Sequence, residues 1–270
     1  MRKLLKTVIF IVIVLVVVAV VGVVAVALLA DKMVQTAVEK AGTRTLNVSV
    51  EVGKADAAIL RGAVDLQKIT VANPAGFQGP ALLTLERVNV VADTGSLLSK
   101  QVHITDMQLA NMEVFVEQKG LQNNLYEVIK PLREPRKPTG KRLLIDNLEI
   151  ANITVHVSLS GVPGKPQTAQ FTLGNITMTD LGRDERMDTA VLISKIVLAV
   201  AAGVAEQGGG ILPKETVGEI TGILDKAIDI GRMIFGSPKD GDPNRSKSSG
   251  DLGKTVTEGI QDLLGGRKKQ

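Results

Sequence analysis

The chain has 270 residues, with 32 Lys and Arg against 28 Asp and Glu, no Cys, no Trp and one Tyr, Tyr126. Without Arg2, Lys3 and Lys6 the remainder holds 29 basic and 28 acidic residues, so it lacks the cationic excess that counterion release on nucleic acid requires. Having no Cys excludes disulfides, thiolate nucleophiles and zinc-thiolate sites together, and leaves core packing to Val, Ile and Leu.

From Val8 through Ala30 every residue is apolar or Gly, a run longer than the roughly 20 residues that cross a bilayer core. Arg2, Lys3 and Lys6 precede it, and a short basic N-terminus stays in the cytoplasm. Ala25-Val26-Ala27 has the small residues of a signal-peptidase site, but a cleaved signal has an apolar stretch of only about 7 to 15 residues. The reading is a cytoplasmic segment 1–7, a retained transmembrane helix 8–30, and a body exported to the periplasm from a single pass through a bacterial inner membrane.

Residues 31–182 read as a β-rich domain. Asp31 to Ala41 continues as helix, with Met33, Val34, Ala37, Val38 and Ala41 at helical spacing and Gly42 as its stop. The period then changes to two. Leu46, Val48, Val50 and Val52 alternate with polar residues, as do Val64, Leu66, Ile69 and Val71, then Leu83, Leu85, Val88 and Val90, then Val102, Ile104, Leu109, Met112, Val114 and Val116. Breaks in that alternation predict bulges. Gly62, Asn73-Pro74, Asp93-Thr94-Gly95 and Gln118-Lys119-Gly120 supply turns, so the order predicts an antiparallel meander.

Lys130 to Lys141 carries Pro131, Pro135, Pro138 and Gly140 among five basic residues and predicts a linker or long loop. Strands resume at Leu144, Leu148 and Ile150, at Ile153, Val155, Val157 and Leu159, and at Phe171, Leu173, Ile176 and Met178, with turns at Ala151-Asn152 and Gly161 to Gly164. Both blocks belong to one continuing sheet. Residues 183–236 are predicted helical. Ala190 to Ala205 is apolar nearly all round, yet Lys195 near its centre costs on the order of 2.5 to 3.5 kcal/mol in a bilayer, so a helix packed on the sheet is expected. Val217, Ile220, Ile223, Leu224, Ala227, Ile228 and Ile234 form an amphipathic stripe, whose polar side mixes Glu219, Asp225, Asp229 and Arg232. A membrane-surface helix concentrates Lys and Arg there instead, so Ile211 to Phe235 is expected to close one end or face of the sheet as a lid. Residues 237–270 read as a flexible tail, with a short helix around Leu252, Val256, Ile260 and Leu263. The fold class is therefore α+β: an N-terminal transmembrane helix, a curved and mainly antiparallel sheet, and C-terminal amphipathic helices.

One stretch carries a family resemblance. Gly62, Leu66, Ile69 and Val71, then Asn73-Pro74-Ala75-Gly76-Phe77, then Leu83, Val88 and Val90, then Leu97-Leu98 before Ile104, Met107 and Leu109 resemble the N-terminal region of AsmA-like proteins. The likeness covers about residues 1 to 128, with Asn123 and Asn124 where that family often has an Asn before a helical turn. It implies a β-sheet curled into a trough that guides lipids or supports outer-membrane assembly. Members with a lipid path across the periplasm are several times longer. Eight to ten strands at about 4.8 Å spacing reach only about 40 to 50 Å, so a bridge would need copies or partners.

Candidate chemistry is sparse. His103 and His156, the two histidines, each sit on the polar side of a strand, where a solvated side chain is expected and no metal or triad cluster converges. Asp240, Asp242, Asn244 and Asp251 partly mimic a calcium loop, but Arg245 stands where its turn needs Gly. Gly208-Gly209-Gly210 before Lys214 lacks the spacing of a phosphate loop and reads as a hinge. Gly218 and Gly222, four apart on a helix, are expected to permit close packing within the domain. Asn47, Asn152 and Asn175 open formal glycosylation sequons, which in a bacterial protein are coincidence. No catalytic, metal or cofactor residue is assigned. The expected partners are the bilayer, phospholipid acyl chains and envelope proteins, not nucleic acid. The expected role is lipid handling or outer-membrane biogenesis through an apolar sheet face; the alternative is a structural adaptor acting by sheet-edge pairing.

Overall fold

The computed structural model describes residues 29–97, 99–134, 137–160 and 168–235, with side chains as far as residue 225. The expected anchor up to residue 28, the expected turn at Gly161 to Gly164, the calcium-like loop and the expected tail 237–270 lie outside the described residues.

Helix α1 (29–46) runs past the expected stop at Gly42 and ends at Asn47, whose φ of 57° is left-handed and whose N–H donates to the Thr43 carbonyl at 3.0 Å. Gly42 serves another purpose. A Cβ there would lie 2.9 Å from Val50 Cγ2, so the Gly lets the helix approach the first strand. Leu46, expected in a strand, is the buried last turn of α1.

Eight strands form one open, mixed sheet: β1 (Val50–Ala58), β2 (Ala63–Val71), β3 (Leu83–Ala92), β4 (Gln101–Lys119), β5 (Gln122–Asn123), β6 (Arg142–Ser160), β7 (Thr168–Leu173) and β8 (Ile176–Leu181). β1 to β4 form the expected antiparallel meander. The second block does not extend it. β6 lies parallel to β4 over its whole length, Gln101 opposite Arg142 to Lys119 opposite Ser160, and a parallel pair needs a crossover in place of a hairpin. The Pro-rich stretch lies within that crossover and is more ordered than a linker: helix α2 (Asn124–Ile129) leads into a 3-10 turn at Lys130–Arg133 that buries Leu132. β7 and β8 both pair with β6, one beyond the other, as a single edge broken at Gly174 and Asn175.

The broken alternations fall on one row of the sheet. The inward positions step by three residues at Val52 to Ala55, Leu66 to Ile69, Leu85 to Val88, Leu109 to Met112 and Ile150 to Ile153, and these steps stand side by side in the pairing register. Lys68, Asn111 and Asn152 lie in that row with φ of 55°, 58° and 56°. A left-handed residue reverses the pleat in β2, β4 and β6, and with the matching steps in β1 and β3 the row is a crease across five strands at which inward and outward positions exchange parity. The expected turn at Ala151-Asn152 is corrected by this: β6 runs straight through, and Asn152 is its crease residue. Asn suits the position because its short polar side chain tolerates the left-handed region.

Among the described residues, the remaining helices are α2, α3 (Thr189–Gln207) and α4 (Lys214–Phe235). α3 touches α2, α4 and β7, and α4 touches α2, α3 and the 3-10 turn.

Candidate functional site

The strands bury one continuous apolar inner face of the sheet. Val50, Val52, Leu66, Ile69, Leu85, Val88, Met112, Val114, Ile150, Ile153 and Val155 are all buried in one cluster with residues of α2, α3 and α4. Gln118 and Asn123 are the buried polar strand residues, and both stand at one end. There Asn123 Nδ2 and Thr216 Oγ1 donate to Gln118 Oε1, each at 2.9 Å, while Gln118 Nε2 donates to the Gly120 carbonyl at 2.7 Å. A buried amide so satisfied fixes α4 to the end of β4. The inner face is therefore filled by protein.

Those helices behave as their composition requires. Every residue from Thr189 to Ala205 on α3 is buried or half-buried, and Lys195 meets Glu185 at 2.5 Å in a nearly dry setting. α3 is also the one described helix long and apolar enough to cross a membrane. Asp188 caps it: one carboxylate oxygen accepts from the Ala190 and Val191 N–H groups at 3.1 Å, the other from Thr139 at 2.8 Å and Gly140 at 3.0 Å. Burial pushes the Asp188 carboxyl up, but the four backbone N–H groups outweigh it and hold the group below the usual Asp value. On α4, Ile220, Ile223 and Leu224 are buried, whereas Gly218 and Gly222 are exposed and a Cβ on either would meet nothing within 4 Å. The close-packing role expected of those two glycines is corrected: they lie on the outward face of the helix.

The Asn73-Pro74-Ala75-Gly76-Phe77 turn is built into the same end of β4. Asn124, fully buried, donates from Nδ2 to Asn73 Oδ1 at 2.8 Å and to the Phe115 carbonyl at 2.7 Å, and accepts from the Glu117 N–H at 2.8 Å. Glu117 accepts from the N–H groups of Gln78 at 2.8 Å and Gly79 at 2.9 Å and meets Lys119 at 3.0 Å. Burial raises the Glu117 carboxyl, and these donors together bring it below its ordinary value. Lys119 Nζ reaches the Gly76 carbonyl at 2.6 Å and stands 5.4 Å from the Phe77 ring centroid. Two pieces of the motif, 51 residues apart, thus form one clasp.

The two lateral edges of the sheet differ. On the β1 edge, α1 runs antiparallel to the strand and presents Asp31, Gln35, Glu39 and Thr43, four residues apart on one ridge. Asp31 Oδ1 accepts from Ala57 N at 2.6 Å, Gln35 Nε2 donates to Val52 O at 2.7 Å, Glu39 Oε1 accepts from Val52 N at 3.1 Å, and Thr43 Oγ1 accepts from Val50 N at 3.0 Å. Helical side chains thus replace the missing strand. On the other side, no described strand pairs with the outer edge of β7 or β8. The ladder was readable as i, i+4 spacing of polar residues beside the apolar stripe, but the direction of that ridge was not.

Both histidines lie on the outer face, as expected, but neither is the freely solvated side chain expected there: His156 Nε2 is buried, and each ring has a carboxylate neighbour that the sequence did not reveal. His103 Nε2 meets Asp146 at 2.8 Å, and Asp146 meets Arg183, also at 2.8 Å. His156 stacks on Phe115 with centroids 4.9 Å apart and stands 3.8 Å from Glu113, too far for a hydrogen bond. Phe115 and His156 line a depression of about 730 Å³ with Glu117, Lys119 and Gln170. Among the described residues no group of three His, Cys, Asp or Glu could hold a metal ion. No family model, curated protein or solved structure matches the chain.

Proposed function

We propose that the chain is a non-catalytic protein anchored in a bacterial inner membrane, with its body in the periplasm, which handles lipid acyl chains or supports outer-membrane biogenesis through the apolar face of its sheet. The observation that carries this reading is an inner face whose buried strand positions are apolar except for Gln118 and Asn123, roofed by α3, a helix apolar nearly all round apart from the ion-paired Lys195. The resemblance to AsmA-like proteins and the apolar run Val8 to Ala30 support it. Acyl chains reach that face only when the helical roof moves, with Gly208 to Gly210 between α3 and α4 as the joint. The test is a photoreactive side chain at Ile150 on the inner face and, separately, at Thr154 on the outer face, irradiated in cells. Phospholipid adducts at Ile150 and none at Thr154 are expected; purely intramolecular products at Ile150 end the lipid reading.

A second reading, a structural adaptor that adds a partner's strand to the sheet, is favoured by the unequal edges. β7, Thr-Ala-Gln-Phe-Thr-Leu, carries neither charge nor Pro, the devices that usually protect an edge, whereas β1 is covered. Gln170→Lys with Thr172→Lys should then abolish crosslinking to an envelope partner while leaving lipid adducts at Ile150 unchanged. Unaltered crosslinking removes the adaptor reading.

A further inference from the structure

We propose that one end of the sheet, formed by the first turn of α1 and by the β1–β2 and β3–β4 turns, rests in the interfacial layer of a lipid bilayer with Leu60 inserted. Six large hydrophobic side chains are exposed among the described residues, and five gather at this end: Leu29 at 64%, Met33 at 71%, Ile59 at 39%, Leu60 at 89% and Val91 at 45%. Leu121, the sixth, is in the β4–β5 turn at the opposite end. Hydrogen bonds bring the five together. Asp31 accepts from the Ala57 N–H and so sets the start of α1 beside the end of β1, and Ala92 N donates to Gly62 O at 2.7 Å, which joins the β1–β2 turn to the end of β3. An exposed apolar cluster of this kind marks a surface that meets something other than water.

The chemistry around it selects a bilayer. Lys100, Lys141 and Arg61 are exposed at this end, and Lys141 Nζ reaches across to the Leu97 carbonyl at 2.9 Å. Acidic Asp31, Asp56 and Asp93 also stand at this end, and Asp31 and Asp93 accept from the N–H groups of Ala57 and Gly95. Apolar tips with Lys and Arg among the flanking charges match a bilayer interface, where side chains such as Leu enter and Lys and Arg meet the headgroups. Leu29 is also the penultimate residue of the apolar run Val8 to Ala30, so the chain enters the fold at the same end. The inference rests on the reading of that run as the membrane anchor.

The chain has no Cys, so Leu60→Cys and Leu121→Cys each give one labelling site. Full-length protein would be reconstituted into phosphatidylethanolamine–phosphatidylglycerol vesicles, labelled with a polarity-sensitive fluorophore and exposed to lipids bearing a shallow nitroxide. Expected is quenching at position 60 greater by about twofold or more than at 121, because insertion of an apolar tip reaches only about 5 to 10 Å into the interface. Protein that floats with the vesicles but is quenched equally, or not at all, at the two positions overturns the inference while leaving the anchor intact. Protein that fails to float overturns the anchor, and the inference with it.

Discussion

Thr216 on α4 donates its hydroxyl hydrogen to Gln118 on β4 across 98 residues of chain, with 2% and 1% of the two residues exposed. Thr216→Val keeps the shape and removes the donor. Gln118 Oε1 retains Asn123 as a partner, so the loss should be about 1 to 1.5 kcal/mol, read as a lower urea midpoint with an unchanged slope. Amide exchange in α4 should accelerate more than in β6. Uniform acceleration would mean that α4 does not open separately from the sheet.

Val50 and Val71 are direct cross-strand partners, each 6% exposed. Val50→Asp or Val71→Asp places an unpaired carboxylate in the core at a cost of several kcal/mol, and should abolish resistance of the body to protease. Exposed Ser49 and half-buried Thr70 face the other way and should accept Asp with little loss. Equal behaviour of the two sets would contradict the register.

Acid should weaken the fold through Asp188 and Glu117. Each carboxyl lies below its ordinary value when folded, so the unfolded chain binds the proton first, and their stabilisation is full above the unfolded values and lost as pH falls through the folded ones. The unfolded values are about 3.9 for Asp and 4.3 for Glu. Asp188→Asn should therefore flatten the decline of the urea midpoint below about pH 4. Asp188→Ala should cost about 2 to 3 kcal/mol at neutral pH, from the lost cap and the unsatisfied N–H groups. A decline identical to that of the parent chain would place the acid sensitivity elsewhere.

The helical cover of β1 can be removed without touching the core. Gln35→Leu with Glu39→Leu leaves both the N–H and the carbonyl of buried Val52 without their side-chain partners. We expect a loss of roughly 1 to 3 kcal/mol and new self-association by light scattering, since an uncovered edge strand templates pairing. Glu39→Gln, which keeps an acceptor oxygen, should restore the monodisperse state.

Local chemistry made much of this fold legible. The alternation at Val50, Val52, Ile69 and Val71 identified the buried face correctly, and the turn at Asn73-Pro74 stands where Pro cannot donate to a ladder. What stayed hidden is non-local. Asn111 and Asn152 looked like a mid-strand irregularity and a turn, because a crease is recognised only when three-residue steps align across strands whose pairing is unknown. The parallel register of β4 and β6 was equally invisible, since hydrophobic period reports which face is dry and not which strand is the neighbour. Gln118 read as part of a turn with Lys119 and Gly120, yet β4 runs through Lys119, and buried Gln118 acquires its meaning only together with Thr216.

The parallel ladder between β4 and β6 also orders the assembly of the body in time. β1 to β4 pair with immediate sequence neighbours through short turns and can zip as the chain emerges, whereas β6 must wait for the crossover behind it. Until it arrives, β4 is a 19-residue strand with one bare side, a length among the described strands that β6 alone equals. That interval, rather than any feature of the finished molecule, is when the chain has most need of a chaperone.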